Sequence, residues 1–280
     1  MATTESRMSF LEPWAGREES PYVRGKVEEG FPRQNFENLE YAVRFRDARP
    51  DKAGFELDTH GFAFHDDGGV ATQVVDAIRE NDRATVQELY YPAVEAIVKA
   101  KTGASRVIIF DHTYRKRYLG LDPGQNQNGK EQPATLAHVD QSEIGAIGRV
   151  KRHALEDADR LLKGRVQVIN VWRPIHGVVE DWALAVSDYR SVKESEIHPT
   201  DIFRERRERS GQTVSVNYSD DQRWYYLGRQ NVDEVTLIKI WDSKDGVAKT
   251  CPHGSFPDPH APASALPRES IEVRCLVFHE

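Results

Sequence analysis

The stretch RVQVINVWRPI, residues 165–175, marks a change in the character of the sequence. Its length and its branched and aromatic side chains favour a buried strand over a helix. Five more runs of the same kind follow, and turns rich in Asp, Gly, Ser and Pro separate them: DWALAVSDYRSV, QTVSVNY, RWYYLGRQ, DEVTLIKIWDS and SIEVRCLVF. The second half of the chain is therefore predicted to be almost wholly strand.

Helical patterns lie ahead of these strands. Apolar residues recur three and four positions apart in VATQVVDAIREND, in ATVQELYYPAVEAIVKAKTG and in SEIGAIGRVKRHALEDADRLLKG. Gly103 and Gly164 end the last two helices. Because helices precede strands without βαβ alternation, the pattern predicts an α+β fold with N-terminal helices packed on the sheet. The β part is expected to be a sandwich or a closed double-sheet jelly roll.

The domain organisation is expected to be simple. Residues 1–35 are rich in Glu, Arg, Gly and Pro and are predicted to form an N-terminal arm with little structure of its own. NLEYAVRFRDARP then alternates apolar and polar residues, which predicts a strand ended by Pro50. Because such early strands need a sheet to join, residues 36–280 are predicted to form a single domain.

Composition excludes several classes of function. The 280 residues carry a formal net charge of −7 without a long basic block, which argues against nucleic-acid binding. No apolar run reaches the length of a membrane span, and the N-terminus does not resemble a secretory signal. Two cysteines, Cys251 and Cys275, have no disulfide or CxxC spacing, so a reducing, cytoplasmic location is expected.

The motif LAHVDQ, residues 136–141, carries the strongest indication of chemistry. His138 and Asp140 are two positions apart, so on an extended segment both side chains point the same way and can hold one metal ion. A distant His would complete a triad of two histidines and one carboxylate. Such a triad leaves coordination positions open and suits non-haem Fe(II) oxygenases. A second pair, His65 and Asp66 in HDDGG, carries a turn signal and is interpreted as a surface turn.

Three residues compete for the third ligand position. His176 in RPIHG follows the pair too closely for enough strands to intervene. His198 in EIHPTD has a usable spacing but highly charged neighbours. His253 in CPHGSFPDP lies between two strong strand patterns, so it is the preferred ligand.

The last strand supplies an independent test of this interpretation. A 2-oxoglutarate co-substrate would chelate iron through its keto acid end, and its far carboxylate would need a buried cation, best an arginine. In PRESIEVR, Arg268 and Ser270 share one strand face, where the hydroxyl can add a hydrogen bond. Arg274 lies on the same strand face and is the second choice for binding the co-substrate carboxylate.

At these motifs the sequence resembles a known group of oxygenases. NVWRPI, PHGSFPDP and RESIEVRCLVF are similar to segments of the fungal and bacterial enzymes related to gibberellin desaturase, to the aspergillic-acid hydroxylase/desaturase and to the cephalosporin methoxylase subunit. The resemblance covers roughly residues 35–280. It implies a double-stranded β-helix, the cofactor Fe(II) at His138, Asp140 and His253, and the co-substrates 2-oxoglutarate and O2. It further implies hydroxylation or desaturation of an unactivated C–H bond, and Asp140 argues against halogenation.

Six residues are candidates for substrate binding: Tyr114, Arg115, Asn170, Trp172, Arg173 and Lys239. Tyr114 and Arg115 end the strand before the loop that leads to the metal pair, so they are expected at the rim. Arg173 could bind an acidic substrate, although its parity differs from that of Asn170 and Trp172 unless the strand bulges. Lys239 either reaches solvent along a sheet edge or binds an anion inside the barrel.

Two other functions compete with the oxygenase prediction. One is a cupin-like metalloenzyme that does not use 2-oxoglutarate, and Arg268 with Ser270 is the feature against it. The other is a non-catalytic partner with the same fold, and the complete ligand set argues against that. A small-molecule substrate is expected in either enzyme. The chain could act alone, as a homo-oligomer or with a partner enzyme.

Overall fold

The computed structural model describes residues 1–25, 30–123, 126, 131–204 and 209–280. In this part of the chain the strands form two sheets of nine and five strands, in the orders β1-β3-β11-β8-β13-β6-β10-β9-β2 and β4-β12-β7-β14-β5. The strands are β1 (Thr3–Leu11), β2 (Tyr22–Arg24), β3 (Asn38–Asp47), β4 (Phe62–Asp66), β5 (Arg106–Lys116), β6 (His138–Val139), β7 (Arg165–Pro174), β8 (Trp182–Ser187), β9 (Ile197–Phe203), β10 (Arg209–Val216), β11 (Trp224–Tyr226), β12 (Glu234–Asp242), β13 (His253–Pro257) and β14 (Glu269–His279).

The helices are short and most of them precede the strand-rich half. They are α1 (Leu57–His60), α2 (Thr72–Arg79), α3 (Arg83–Leu89), α4 (Tyr91–Thr102), α5 (Glu143–Ala154) and α6 (Ala158–Leu161), with 3-10 turns at Arg49–Gly54, Leu155–Asp157, Tyr189–Ser191 and Glu194–Glu196. The expectation of a mixed, sheet-rich fold is therefore confirmed. Among the described residues no helix is long and apolar enough to cross a membrane.

The five-stranded sheet is buried on both faces. On one face, alternate residues of β7, β12 and β14 pack with α2, α3 and α4 in one apolar cluster, to which Val171, Leu237 and Val273 belong. On the other face, the intervening residues pack against the nine-stranded sheet in a second cluster, to which Trp172 and Ile238 belong. This period of two gives each of these strands a helix-facing side and an interior side.

The prediction of an arm with little structure is wrong for residues 3–11 and 22–24, while residues 26–29 lie outside the described residues. Strand β1 pairs with β3 over nine residue pairs, and Met8 and Phe10 on β1 are fully buried. The Ser9 N–H donates to the Thr135 carbonyl, and the Ala137 N–H donates to the Ser9 carbonyl. Strand β1 therefore supports the segment that carries His138.

Two predicted helices are interrupted. The second predicted helix divides into α3 and α4 at Tyr90, because Pro92 has no N–H to donate and fits only the first turn of α4. The third predicted helix ends at Ala154, where Leu155 adopts a φ of 48° that L-residues rarely adopt. Gly103 ends α4 in the left-handed conformation, as predicted.

Candidate functional site

The three predicted metal ligands lie close together. His138 on β6 pairs in register with His253 on β13, and Asp140 follows two residues after His138. One ligand atom from each of the three side chains lies within 4.8 Å of the other two. In the described part of the chain this is the only group of three or more His, Cys, Asp or Glu residues close enough to share a metal ion.

Backbone carbonyls orient both histidines. Nδ1 of His138 lies 2.8 Å from the Leu136 carbonyl oxygen, and Nδ1 of His253 lies 3.1 Å from the Cys251 carbonyl oxygen. Because a carbonyl oxygen only accepts, Nδ1 carries the proton in each ring, and Nε2 of the neutral ring keeps a lone pair for a metal. Nε2 of His253 is buried and has no hydrogen-bond partner among the described residues.

The charges of the triad favour metal binding. Burial opposes ionisation of Asp140, but Arg274, and after it His138 and His253, hold its pKa well below the usual value. Burial also opposes the charged form of His138, but the hydrogen bond that its ring donates to Asp140 raises its pKa. Burial lowers the pKa of His253, and the neighbouring His138 lowers it further. The donor set is thus one carboxylate and two imidazoles, which suits a ferrous ion.

An arginine without a counter-charge lies beside the triad. Arg268 is only 3% exposed, and burial lowers its pKa to about 9. Its side chain donates to the Trp182 carbonyl and lies over the ring of Trp172, but Nε has no partner. No carboxylate among the described residues forms an ion pair with its guanidinium. The hydroxyl of Ser270 is also buried without a partner. Two unpaired donors at a buried site can bind an anion.

One cavity joins the triad to this arginine. It is lined by His138, His253 and Arg268 and also by Arg115, Ala134, Trp172, Leu184, Gly254, Ser255 and Glu272. A larger cleft elsewhere includes His65 and Asp66 but contains none of the triad. The smaller cavity is lined by two of the predicted ligands and by Arg268, which makes it the better candidate site.

The competing histidine His198 does not join the triad. It lies on β9, where its Nε2 is 2.7 Å from Oδ1 of Asn217. Its neighbours in the sequence are highly charged, yet residues 197–203 form a strand that pairs with β10. The strand has one fully buried residue, so its sequence lacks the apolar alternation of the other strands.

Three of the predicted substrate-binding residues have interior positions. Arg115 lines the cavity and donates to Glu131 and to the Gln132 carbonyl. Trp172 forms part of the cavity wall beneath Arg268. Asn170 donates from Nδ2 to Oδ2 of Asp140 and is therefore committed to that ligand.

The other three predicted substrate-binding residues do not line the cavity. The Tyr114 hydroxyl donates to Glu269 beside the helices. Arg173 is fully buried and paired with Asp67, and it also donates to the Val232 carbonyl. Lys239 is fully buried between the carboxylates of Asp58 and Asp242.

Two residues on β14 change the interpretation of its inner face. Arg274, the second choice for the co-substrate carboxylate, is instead paired with Asp140 and Glu272. Its charge is already neutralised by these carboxylates, which favours Arg268 over Arg274 for the co-substrate carboxylate. Glu272 lines the cavity but was not predicted as a site residue. Its parity in RESIEVR, shared with Arg268 and Ser270, is the signal that could have identified it.

Comparisons with known proteins agree with this geometry. A family model described as an oxidoreductase/YMDC permease-like domain matches residues 8–278. The chain is 38% identical over 274 residues to the Fe(II)/2-oxoglutarate-dependent dioxygenase nvfI of Aspergillus novofumigatus, covering 98% of this chain and 96% of that protein. It is 34% identical to the hydroxylase/desaturase CTB9 of Cercospora beticola, covering 90% and 80% of the two chains. The solved structure of the iron and alpha-ketoglutarate-dependent endoperoxidase NvfI matches with a TM-score of 0.90 and 37% identity, over 99% of this chain and 98% of that one.

Proposed function

Because the chain belongs to the Fe(II)/2-oxoglutarate-dependent oxygenases, we propose that His138, Asp140 and His253 hold its ferrous ion and that Arg268 and Ser270 bind the far carboxylate of 2-oxoglutarate. The observation that carries this proposal is the buried guanidinium of Arg268, which has no ion-pair partner among the described residues and lies in the same cavity as the two histidines. The free Nε2 of His253 fits a metal, and the free donors of Arg268 and Ser270 fit a carboxylate.

With iron bound, the site couples oxidative decarboxylation of 2-oxoglutarate by O2 to oxidation of a substrate C–H bond. The protein supplies orientation and shielding. Arg268 would hold the far carboxylate of 2-oxoglutarate, and the triad would hold the ferrous ion that the keto acid end chelates. Trp172 and Leu184 form apolar wall that limits water at the site. Arg115 is the remaining cation that faces the cavity, and we assign it to substrate or co-substrate contact.

The names of the relatives and the chemistry of the site indicate the substrate class. The relatives are named as a dioxygenase, hydroxylase/desaturases and an endoperoxidase, and all of these reactions begin at a small molecule with an oxidisable C–H bond. We propose hydroxylation or desaturation of a small secondary metabolite. A cupin-like enzyme that does not use the keto acid would have no need for an unneutralised, buried Arg268.

Three finer proposals accompany this function. The two facing sheets and their shared interior support a double-stranded β-helix as the core, with residues 36–280 as one oxygenase domain. Two buried, unpaired cysteines, Cys251 and Cys275, fit a reducing compartment such as the cytoplasm. The intact triad supports a chain that is itself catalytic, whether as a monomer, as a homo-oligomer or beside a partner enzyme.

The test is a visible absorption titration without oxygen. Adding Fe(II) and then 2-oxoglutarate to the protein should produce the weak charge-transfer band of an iron-chelated keto acid. His138→Ala and His253→Ala should abolish the band, and Arg268→Ala should shift its half-saturation to much higher 2-oxoglutarate. His198→Ala is the matched control, since His198 lies in the same sheet and outside the triad. A folded wild type without the band would overturn the proposal, and so would a band that survives His253→Ala.

A further inference from the structure

The two carboxylate oxygens of Asp140 have different surroundings. Oδ2 accepts two hydrogen bonds, from Nδ2 of Asn170 at 2.7 Å and from Nε of Arg274 at 2.9 Å. Oδ1 lies 3.4 Å from Nε2 of His138, which is one of the grouped ligand atoms. One oxygen is therefore occupied by the protein, and the other lies on the side of the histidines.

The two donors come from neighbouring strands in exact register. Arg274 on β14 and Asn170 on β7 are directly paired residues of the same sheet, and both side chains reach the same oxygen. Asn170 is fully buried, so its amide has no access to solvent as an alternative partner. A donor pair built on two adjacent strands has little freedom to move, which makes its hold on Asp140 rigid.

Arg274 is fully occupied by this arrangement. Besides Nε, its guanidinium donates from one terminal nitrogen to Thr113 Oγ1 at 2.7 Å and from the other to Glu272 Oε1 at 2.6 Å. All three nitrogens thus have partners, and three carboxylates share its charge: Asp111, Asp140 and Glu272. Arg268 differs, because its Nε has no partner among the described residues.

From these contacts we propose that Arg274 and Asn170 are positioning residues that hold Oδ2 of Asp140, so that Asp140 binds the metal through Oδ1 alone. This inference rests on the proposed ligand role of Asp140. Two strong donors on Oδ2 draw electron density from that oxygen and fix the carboxylate plane, which prevents both oxygens from turning to the metal. Single-oxygen binding keeps three positions open, as co-substrate and O2 require.

The test uses Co(II) alone as the probe, so it reads metal binding independently of turnover. Binding is followed by the visible d–d bands of cobalt, whose intensity falls as coordination number rises. Arg274→Gln and Asn170→Ala should each weaken Co(II) binding about 10- to 100-fold, the usual effect of removing an outer partner of a ligand. Each should also lower the band intensity, because a released Asp140 can bind through both oxygens.

Two further variants separate positioning from general structural damage. Arg274→Lys keeps a donor near Oδ2 and should recover part of the affinity and of the spectrum. Thr113→Val is the matched control, because it removes a contact of Arg274 that does not involve Asp140. It should leave the cobalt spectrum unchanged. Circular dichroism checks folding, and if Arg274→Gln does not fold, Asn170→Ala carries the test.

The outcomes distinguish this inference from the proposed function. If wild-type protein binds no Co(II), the metal site itself is wrong. If wild type binds and both Arg274→Gln and Asn170→Ala bind with the same affinity and spectrum, the positioning role is wrong. If Arg274→Gln keeps the cobalt spectrum but loses 2-oxoglutarate binding, Arg274 is a co-substrate residue and the inference is overturned.

Discussion

The two faces of strand β14 are both shielded from water, yet they have opposite chemistry. The face toward α2–α4 is apolar over Ile271, Val273, Cys275 and Val277, and all four residues are fully buried. The face toward the nine-stranded sheet begins at Arg268, just before the strand, and continues through Ser270, Glu272 and Arg274. The outer face stabilises the fold by apolar burial, whereas the inner face carries polar groups at a cost that only binding can offset.

Buried cations repeat this contrast. Arg173 and Lys239 lie on the outer sides of their strands, and each is paired with at least one carboxylate. Arg268 is equally buried, but it has no paired carboxylate among the described residues. A buried charge with its counter-charge in place is structural, and one without it indicates a missing anion.

The largest expected effect is a loss of stability at Arg173, on the helix-facing side of the five-stranded sheet. Arg173→Met should lower the free energy of unfolding by about 3–5 kcal/mol, because it leaves the buried carboxylate of Asp67 and the Val232 carbonyl without their donor. Urea unfolding measures this loss. The half-saturation for 2-oxoglutarate should not change in the folded variant. Weaker co-substrate binding at full stability would break the division between the faces.

Arg268→Met is the opposite case on the inner side. Its affinity for 2-oxoglutarate should fall by about 100-fold, because a desolvated carboxylate would lose the charged partner proposed for it. Stability without co-substrate should stay equal or rise, since burial already disfavours the charge of Arg268 and lowers its pKa to about 9. Calorimetry without oxygen and urea unfolding give the two quantities. A loss of stability as large as that of Arg173→Met would make Arg268 structural.

Strand parity explains which site residues the sequence could predict. Ile271 faces the helices, and its register partners on the two neighbouring strands are Tyr114 and Arg173. Both therefore share its outer face. The sequence shows the alternation within each strand but not which strands are neighbours, so the faces could not be aligned before the sheet order was known.

The sequence could predict that His138, Asp140 and His253 lie together, because local rules fix the parts of this group. The spacing of His138 and Asp140 follows from strand geometry, and His253 stands at the start of a strand with strong flanking signals. Asn170 and Arg274 donate to Asp140 from distant parts of the chain, and Arg274 lies more than a hundred residues away from it in sequence. No local sequence pattern encodes such contacts. Strand β1 was missed for a related reason, since its alternate residues are buried only by partners that the sequence does not reveal.

The pH dependence of stability at Glu269 tests the helix-facing side of β14. Burial opposes its ionisation, but Arg79, Tyr114 and Lys116 all donate to it and lower its pKa below the usual 4.5. Above pH 4.5 this carboxylate is ionised in the folded and unfolded states, so its stabilising contribution is complete. As pH falls below 4.5 the unfolded state takes up a proton first, and the contribution is lost as pH passes through the lowered pKa.

Glu269→Gln should therefore be less stable than wild type at neutral pH, by on the order of 2 kcal/mol. The difference in stability should narrow as pH falls below about 4.5, because wild type then loses the stabilising contribution of the Glu269 carboxylate, which the variant lacks at every pH. Urea midpoints measured from pH 3 to pH 7 would record it. A difference that stays constant across that range would mean that Glu269 acts through packing rather than charge.

The smallest expected effect is at Ser270, next to Glu269 and on the opposite face. Ser270→Ala should weaken 2-oxoglutarate binding by about tenfold, the value of one hydrogen bond to a charged group. It should not reduce stability, because the buried hydroxyl has no partner to lose among the described residues. Val273→Ala is the matched control on the outer face. It should cost on the order of 2 kcal/mol of stability and leave binding unchanged. The same binding loss in both variants would mean that the strand responds as a whole, and the distinction between its faces would then be wrong.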